Sequence, residues 1–165
     1  MFKTERLIIE KIKKNEIPAL VKIEHDPDNC RFTWTASVEE HEKELENESI
    51  LTLIIKRKED KKIVGYMILD IDSKANRLGL RRWALSEKGC GYGKEIMLSL
   101  LDYSFNVMNM NKVWLEAYED NYVGRKLYEN VGFKLDGVLR QHEKKERGII
   151  GMAQYSILRE EYNML

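Results

Sequence analysis

Two glycine-bearing segments constrain this chain more than anything else in it. They are Lys88-Gly89-Cys90-Gly91-Tyr92-Gly93 and Asn121-Tyr122-Val123-Gly124-Arg125-Lys126-Leu127-Tyr128-Glu129-Asn130-Val131-Gly132-Phe133. The first follows an apolar run ending at Trp83-Ala84-Leu85 and opens a segment with helical periodicity. Glycines there let the backbone turn tightly and aim successive N–H groups at one point, at a helix N-terminus where an anion is favoured. The second segment places a tyrosine on a short helix just after a strand. Together they read as a pyrophosphate cradle followed by a proton donor.

Two commoner phosphate loops are excluded. A dinucleotide fingerprint needs glycine where Lys94 stands, and a Walker A loop ending at Gly93-Lys94 needs glycine at Lys88 and Ser or Thr at Glu95. Taken alone, the first segment also fits a strand-to-helix turn that holds no ligand.

The order of elements follows from periodicity and punctuation. Arg6–Glu10 alternates as a short strand. Asn15 is placed to cap a helix through about Ile23, with Pro18 in its first turn. Ser37-Val38-Glu39-Glu40 has capping-box spacing and opens a polar helix to about Asn47. Leu51, Leu53 and Ile55 alternate, Lys58–Lys61 turns the chain into Ile63–Asp72, and Ser73–Asn76 turns it again into Leu78–Leu85. Beyond the glycine loop, Ile96, Met97, Leu100, Leu101, Phe105 and Met108 mark a long amphipathic helix. Val113–Tyr118 is a strand, and Val123, Leu127 and Val131 stripe the next helix up to Gly132. Phe133–Leu139 and Ile149–Leu158 form a last strand pair across a polar loop. The order is β-α-α-β-β-β-α-β-α-β-β, an α/β (α+β) chain with a mixed sheet of about seven strands and four helices. If Leu78–Leu85 and Val113–Tyr118 are parallel neighbours, the long helix is the crossover between them. The glycine loop and Asn121 then fall at the carboxyl ends of those strands, where ligands sit in such sheets.

Composition narrows the class. With 28 basic against 28 acidic residues, the chain is no general nucleic-acid binder needing many phosphate contacts. Two cysteines, Cys30 and Cys90, and no charged-then-apolar leader point to the reducing cytoplasm. No apolar stretch approaches the roughly 20 residues that span a bilayer. Residues 1–165 are expected to form one domain, with no linker and no repeat. His25, His41 and His142 lack metal spacing and read as ordinary surface residues, so no metal site is expected.

The glycine loop resembles the pattern Arg/Gln-x-x-Gly-x-Gly/Ala of the GNAT N-acetyltransferase superfamily, with Lys88 in the Arg/Gln slot. The second segment is similar to that family's Asn-x-x-Ser/Ala-x-x-Leu-Tyr-x-x-x-Gly-Phe, with Gly124 as the small residue. Gly137-Val138-Leu139-Arg140 and Tyr155–Tyr162 resemble the branch that holds ribosomal-protein N-terminal and spermidine acetyltransferases. The likeness is specific over roughly Ile63–Tyr162. It implies the GNAT fold, with splayed strands admitting the pantetheine arm of acetyl-CoA, which serves as co-substrate without a metal. It also implies backbone pairing from Trp83, Ala84 and Leu85, and a pyrophosphate loop of Lys88, Gly89, Cys90, Gly91, Tyr92, Gly93 and Lys94. Asn121 would steady the coenzyme chain or a water, or cap a helix, and Lys126 would reach phosphate or coat a helix face.

The chemistry asks for three things. The acceptor ammonium must lose a proton, the thioester carbonyl must be polarised, and the departing thiolate needs a proton. The resemblance implies Tyr128 for the last task; the alternative is a core tyrosine. Many relatives carry a glutamate on the strand before the glycine loop, but Arg77-Leu78-Gly79-Leu80-Arg81-Arg82 holds no carboxylate. Glu116 on the next strand is the nearest substitute base, or an ordinary strand residue, or water takes the proton. The resemblance assigns the acceptor to Glu24–Asp28 through Arg31–Trp34, where Phe32 and Trp34 would wall a cleft. The reading is direct acetyl transfer to a primary amine: a polyamine, another small amine or a protein N-terminus. The alternative is a coenzyme A-binding regulatory or degenerate module. No nucleic-acid or membrane partner is expected, and a homo-oligomer is compatible with the sequence.

Overall fold

A computed structural model describes Met1 to Leu165. The strands are β1 (Phe2–Lys3), β2 (Leu7–Lys11), β3 (Ile50–Arg57), β4 (Ile63–Asp72), β5 (Arg77–Leu85), β6 (Lys112–Tyr118), β7 (Lys134–Lys145) and β8 (Gly148–Leu158). They form one sheet in the order β1-β2-β3-β4-β5-β6-β8-β7. The helices are α1 (Ile17–Glu24), α2 (Pro27–Cys30), α3 (Val38–Glu44), α4 (Tyr92–Asp102), α5 (Tyr122–Asn130) and α6 (Arg159–Tyr162). The fold is thus the expected mixed one, with eight strands instead of about seven and six helices instead of four. The additions, β1, α2 and α6, are too short to leave a periodic signal.

A larger core lies between the sheet and α4 and α5, built on Ile96, Met97, Leu100, Leu101, Phe105, Tyr128 and Val131. A smaller one lies on the opposite face, where Ile17, Leu20 and Ile23 of α1 meet Ile54, Tyr66 and Ile68. Ser37 caps α3 as its spacing demands: its Oγ accepts from Glu40 N at 3.2 Å, and Glu40 Oε2 accepts from Ser37 N at 2.7 Å. Asn15 does not cap α1; it lies in a 3₁₀ turn over Lys14–Glu16, and Pro18 follows in the first turn of α1. The long helix ends as an α-helix at Asp102 and continues as a π-helical turn over Tyr103–Val107. Val123 is exposed and lies off the buried stripe of α5. The polar stretch expected as a loop after Leu139 instead continues β7, because the hairpin pairs Glu143 to Ile150 and Lys145 to Gly148.

One irregularity positions the rest. β5 and β6 are parallel neighbours over only four rungs, Arg77↔Lys112 through Leu80↔Leu115. Between β4 and β5 the register shifts at the next residue: Leu69 faces Leu80 but Ile68 faces Arg82, so Arg81 is an extra residue in β5. Such a bulge bends its strand and raises its twist. β5 leaves β6 there and stays paired to β4 as far as Gly65↔Leu85, while β6 stays paired to β8 as far as Tyr118↔Met152. The two strands therefore part into a notch. The bulge also reverses the sides of β5. Leu78 and Leu80 face the larger core before it; Trp83 and Leu85 face that core after it, and Ala84 joins the smaller one.

Candidate active site

The notch opens into a cleft of about 630 Å³. Its walls include Trp83, Ala84 and Leu85 from β5, Glu116, Ala117 and Tyr118 from β6, Asn121 at the N-cap of α5 and Tyr128 within it. The turn between β5 and α4 closes one end with Lys88, Gly89, Gly91, Tyr92 and Gly93. Cys90, Lys94 and Lys126 lie outside this wall. Cys90 is exposed and its carbonyl accepts from Arg6 Nη1 at 2.9 Å.

The glycines of the turn serve different ends. Gly89 (φ +77°) and Gly91 (φ +85°) occupy the left-handed region, which side-chain-bearing residues avoid. Gly93 has ordinary backbone, but a Cβ on it would stand 3.2 Å from Leu127 Cδ2, so it lets α4 approach α5. Arg6, between β1 and β2, anchors the turn. It pairs with Glu95 at 2.6 Å, and its guanidinium lies 4.6 Å from the Tyr92 ring centre. Nothing in the local pattern around Arg6 announces this role.

Tyr128 is buried at the base of the notch, where its Oη accepts from Trp83 Nε1 at 2.8 Å. Burial pushes its phenol up to about 12, against the opposing pull of the Trp83 N–H. The phenol therefore keeps its proton at neutral pH, and its own O–H is directed to no protein acceptor among the hydrogen bonds of the chain. Trp83 reaches it only because the bulge turned that residue to this face.

Glu116 is exposed on the opposite face of β6 and accepts from Gln154 Nε2 at 2.9 Å. Asn121 caps α5, its Oδ1 accepting from Gly124 N at 3.0 Å, and still lines the cleft. Arg125 is committed to structure, donating to Tyr155 Oη and to the Glu119 carbonyl. Asn29 was not singled out by the sequence; its Nδ2 donates to the carbonyls of Ile23 and Leu85, tying α1 and α2 to the end of β5.

Of the stretch expected to receive the acceptor, Asp28, Phe32, Thr33 and Trp34 do line the cleft. Glu24 does not. It is fully buried and occupied by Arg82, His41, Tyr66 and the Ala36 amide. His41 is likewise buried, not a surface residue. Burial alone would lower its pKa, but the hydrogen bond to Glu24 and the Glu44 carboxylate 3.4 Å from the ring win and hold it up at about 9. Arg82 completes this cluster, donating from Nη2 to both Glu44 oxygens at 2.7 Å. The residue after the bulge is thereby fastened to α1 and α3.

The mouth of the cleft is closed by aromatic contacts. Trp34 Nε1 donates to Tyr118 Oη at 3.0 Å, and Tyr118 donates to Glu143 Oε2 at 2.6 Å. Arg147, at the tip of the β7–β8 hairpin, lies over both Phe32 and Tyr118 and pairs with Asp120 at 2.6 Å.

These features have counterparts among known proteins. Residues 6–134 match the family model described as an acetyltransferase (GNAT) domain. An uncharacterized N-acetyltransferase, p20, from Bacillus licheniformis is 25% identical over 96% of both chains. A spermine/spermidine N(1)-acetyltransferase from Bacillus subtilis is 29% identical over 42% of this chain and 47% of its own. Among solved structures, the spermidine N-acetyltransferase of Vibrio cholerae in complex with CoA and spermine superposes with a TM-score of 0.86. It is 18% identical, with 96% of this chain and 98% of that one covered. A GNAT-family acetyltransferase from Bacillus anthracis gives 0.81 at 17% identity, covering 96% and 98%. The family model spans most of the chain, including the notch, the glycine turn and Tyr128, and this protein belongs to the GNAT acetyltransferase family.

Proposed function

We propose that the protein transfers an acetyl group from acetyl-CoA to a primary amine, directly within a ternary complex. The observation that carries this is the notch: an unpaired β5 edge after Leu80, ending in a glycine turn, with a protonated tyrosine at its base. Gly89 and Gly91 support this reading, because their left-handed backbone suits a turn that aims N–H groups at a pyrophosphate. Lys88–Gly93 would hold the pyrophosphate, and Trp83 and Ala84 would pair with the amide-bearing arm as a neighbouring strand does. The Leu85 carbonyl is already taken by Asn29.

The thioester supplies an activated acyl group; the remaining tasks fall to side chains. Tyr128 donates its proton as the C–S bond breaks, and the Trp83 N–H stabilises the phenolate left behind. Glu116, on the acceptor face of the cleft, takes the ammonium proton directly or through water. Backbone N–H groups on the free β5 edge polarise the carbonyl. Phe32, Trp34 and Tyr118 wall the acceptor. The relatives' names direct the first assays to polyamines, with protein N-termini as the second set. Thiol release from acetyl-CoA with a panel of primary amines is the test. Tight acetyl-CoA binding without amine-dependent release would leave a coenzyme A-binding module instead.

A further inference from the structure

On the acceptor side the cleft does not end at Glu116. A second cavity of about 610 Å³ adjoins it, and the two share Asp70, Arg81 and Trp114. Trp114 is the floor between them. It stands opposite Gly79 in the parallel ladder, and a Cβ at Gly79 would lie 3.0 Å from the indole, so the missing side chain lets the ring lie against β5. The indole N–H has no partner among the protein's hydrogen bonds, which leaves a flat apolar surface with one donor.

The charges of the second cavity are unequal. Lys74, Arg77 and Arg81 line it against Asp70 and Asp72, a balance of three cations to two carboxylates. Asp72 is occupied by Arg77 at 3.1 Å and by the Ala75 amide. Arg81 forms long ion pairs with Glu44 at 3.5 Å and Asp70 at 3.6 Å but donates no hydrogen bond to either, and Glu44 also holds Arg82 at 2.7 Å. Arg81 at the junction, with guanidinium donors that make no hydrogen bond, and Lys74 at the rim, which has no ion-pair partner, are the cations that an incoming anion would meet.

We infer that the acceptor is an elongated amine whose tail crosses Trp114 into this second cavity and carries an anionic group, a carboxylate or a phosphate. This rests on the acetyl-transfer reading and specifies its substrate. It also sets this protein apart from a polyamine acetyltransferase, since a second ammonium would meet Arg81 and Lys74.

The test uses amines matched in length: hexylamine, cadaverine, ε-aminohexanoate and an aminopentyl phosphate. The expected order of kcat/KM puts the anionic tails above cadaverine by about tenfold, because the tail charge changes sign and attraction and repulsion both count. Comparing carboxylate with phosphate identifies the anion. In Arg81→Gln and in Lys74→Gln, with folding checked by circular dichroism, the preference for an anionic tail over hexylamine should shrink through KM rather than kcat. Cadaverine preferred over ε-aminohexanoate, or a preference untouched in both variants, overturns the proposal while acetyl transfer stands. Should no amine be acetylated, the transfer reading fails, and calorimetry of ε-aminohexanoate with the CoA-loaded protein still decides the subsite. Binding weakened by Arg81→Gln supports it, and no Arg81-dependent binding overturns it.

Discussion

Trp83 donates its indole N–H to the hydroxyl of Tyr128 at 2.8 Å, although the two residues sit on different elements and 45 positions apart in the chain. The bond fixes the direction of the phenol and opposes the burial that would otherwise raise its pKa further. Tyr128→Phe should lower kcat by about 100-fold or more, the scale of losing a positioned acid, with little change in KM for acetyl-CoA. Trp83→Phe should have a smaller effect of the same kind, since the hydroxyl survives but loses its orientation. Steady-state kinetics on both variants is the check; a fully active Tyr128→Phe removes the phenol from the mechanism.

Gly91 tests the turn. Its φ of +85° strains any substituted residue, at a cost of roughly 1–2 kcal/mol, and a side chain would also lean toward Arg6. Gly91→Val should keep the fold and lose most of the affinity for acetyl-CoA by calorimetry. Unchanged binding in the folded variant would place the pyrophosphate elsewhere.

His41 makes a prediction about pH. Its folded pKa of about 9 lies above the unfolded value near 6.5, so the protonated ring stabilises the fold. That contribution is complete below about pH 6.5 and is lost as pH rises through about 9, and it amounts to something on the order of 3 kcal/mol. Urea unfolding at pH 6 and pH 9.5 should show the loss in the native protein and a much flatter dependence in His41→Gln. Equal slopes in the two proteins would assign the loss to other groups.

Tyr118→Phe removes the hydroxyl that joins Trp34 to Glu143. Loosening that mouth should raise KM for the acceptor amine several-fold while sparing KM for acetyl-CoA. A rise confined to acetyl-CoA would mean that this wall belongs to the coenzyme.

Much of this site is legible in the linear chain because its signals are local. The alternation of Leu51, Leu53 and Ile55 and the capping box at Ser37 need only neighbouring residues, and so do the paired glycines at 89 and 91. The side reversal in β5 is different. Strict alternation would send Arg82 into the larger core and Trp83 to the acceptor face, and nothing in Leu80-Arg81-Arg82-Trp83 marks Arg81 as the residue to be bulged out. His41 misleads for a related reason: its burial depends on Glu24, distant in sequence, supplying the compensating charge. The polar run after Leu139 looks like a loop by composition, yet it forms the long arm of an edge hairpin.

The four-rung join between β5 and β6 has a mechanical consequence. Everything from β1 to β5 hangs together by antiparallel pairing, as does everything from β6 to β8, and between the two plates the sheet is seamed only from Arg77 to Leu80. A ligand inserted beyond that seam would act as a crosslink between the two plates. Amide hydrogens on both banks, at Arg82–Leu85 and at Glu116–Tyr118, should then exchange more slowly together when coenzyme A is bound, with a higher melting temperature.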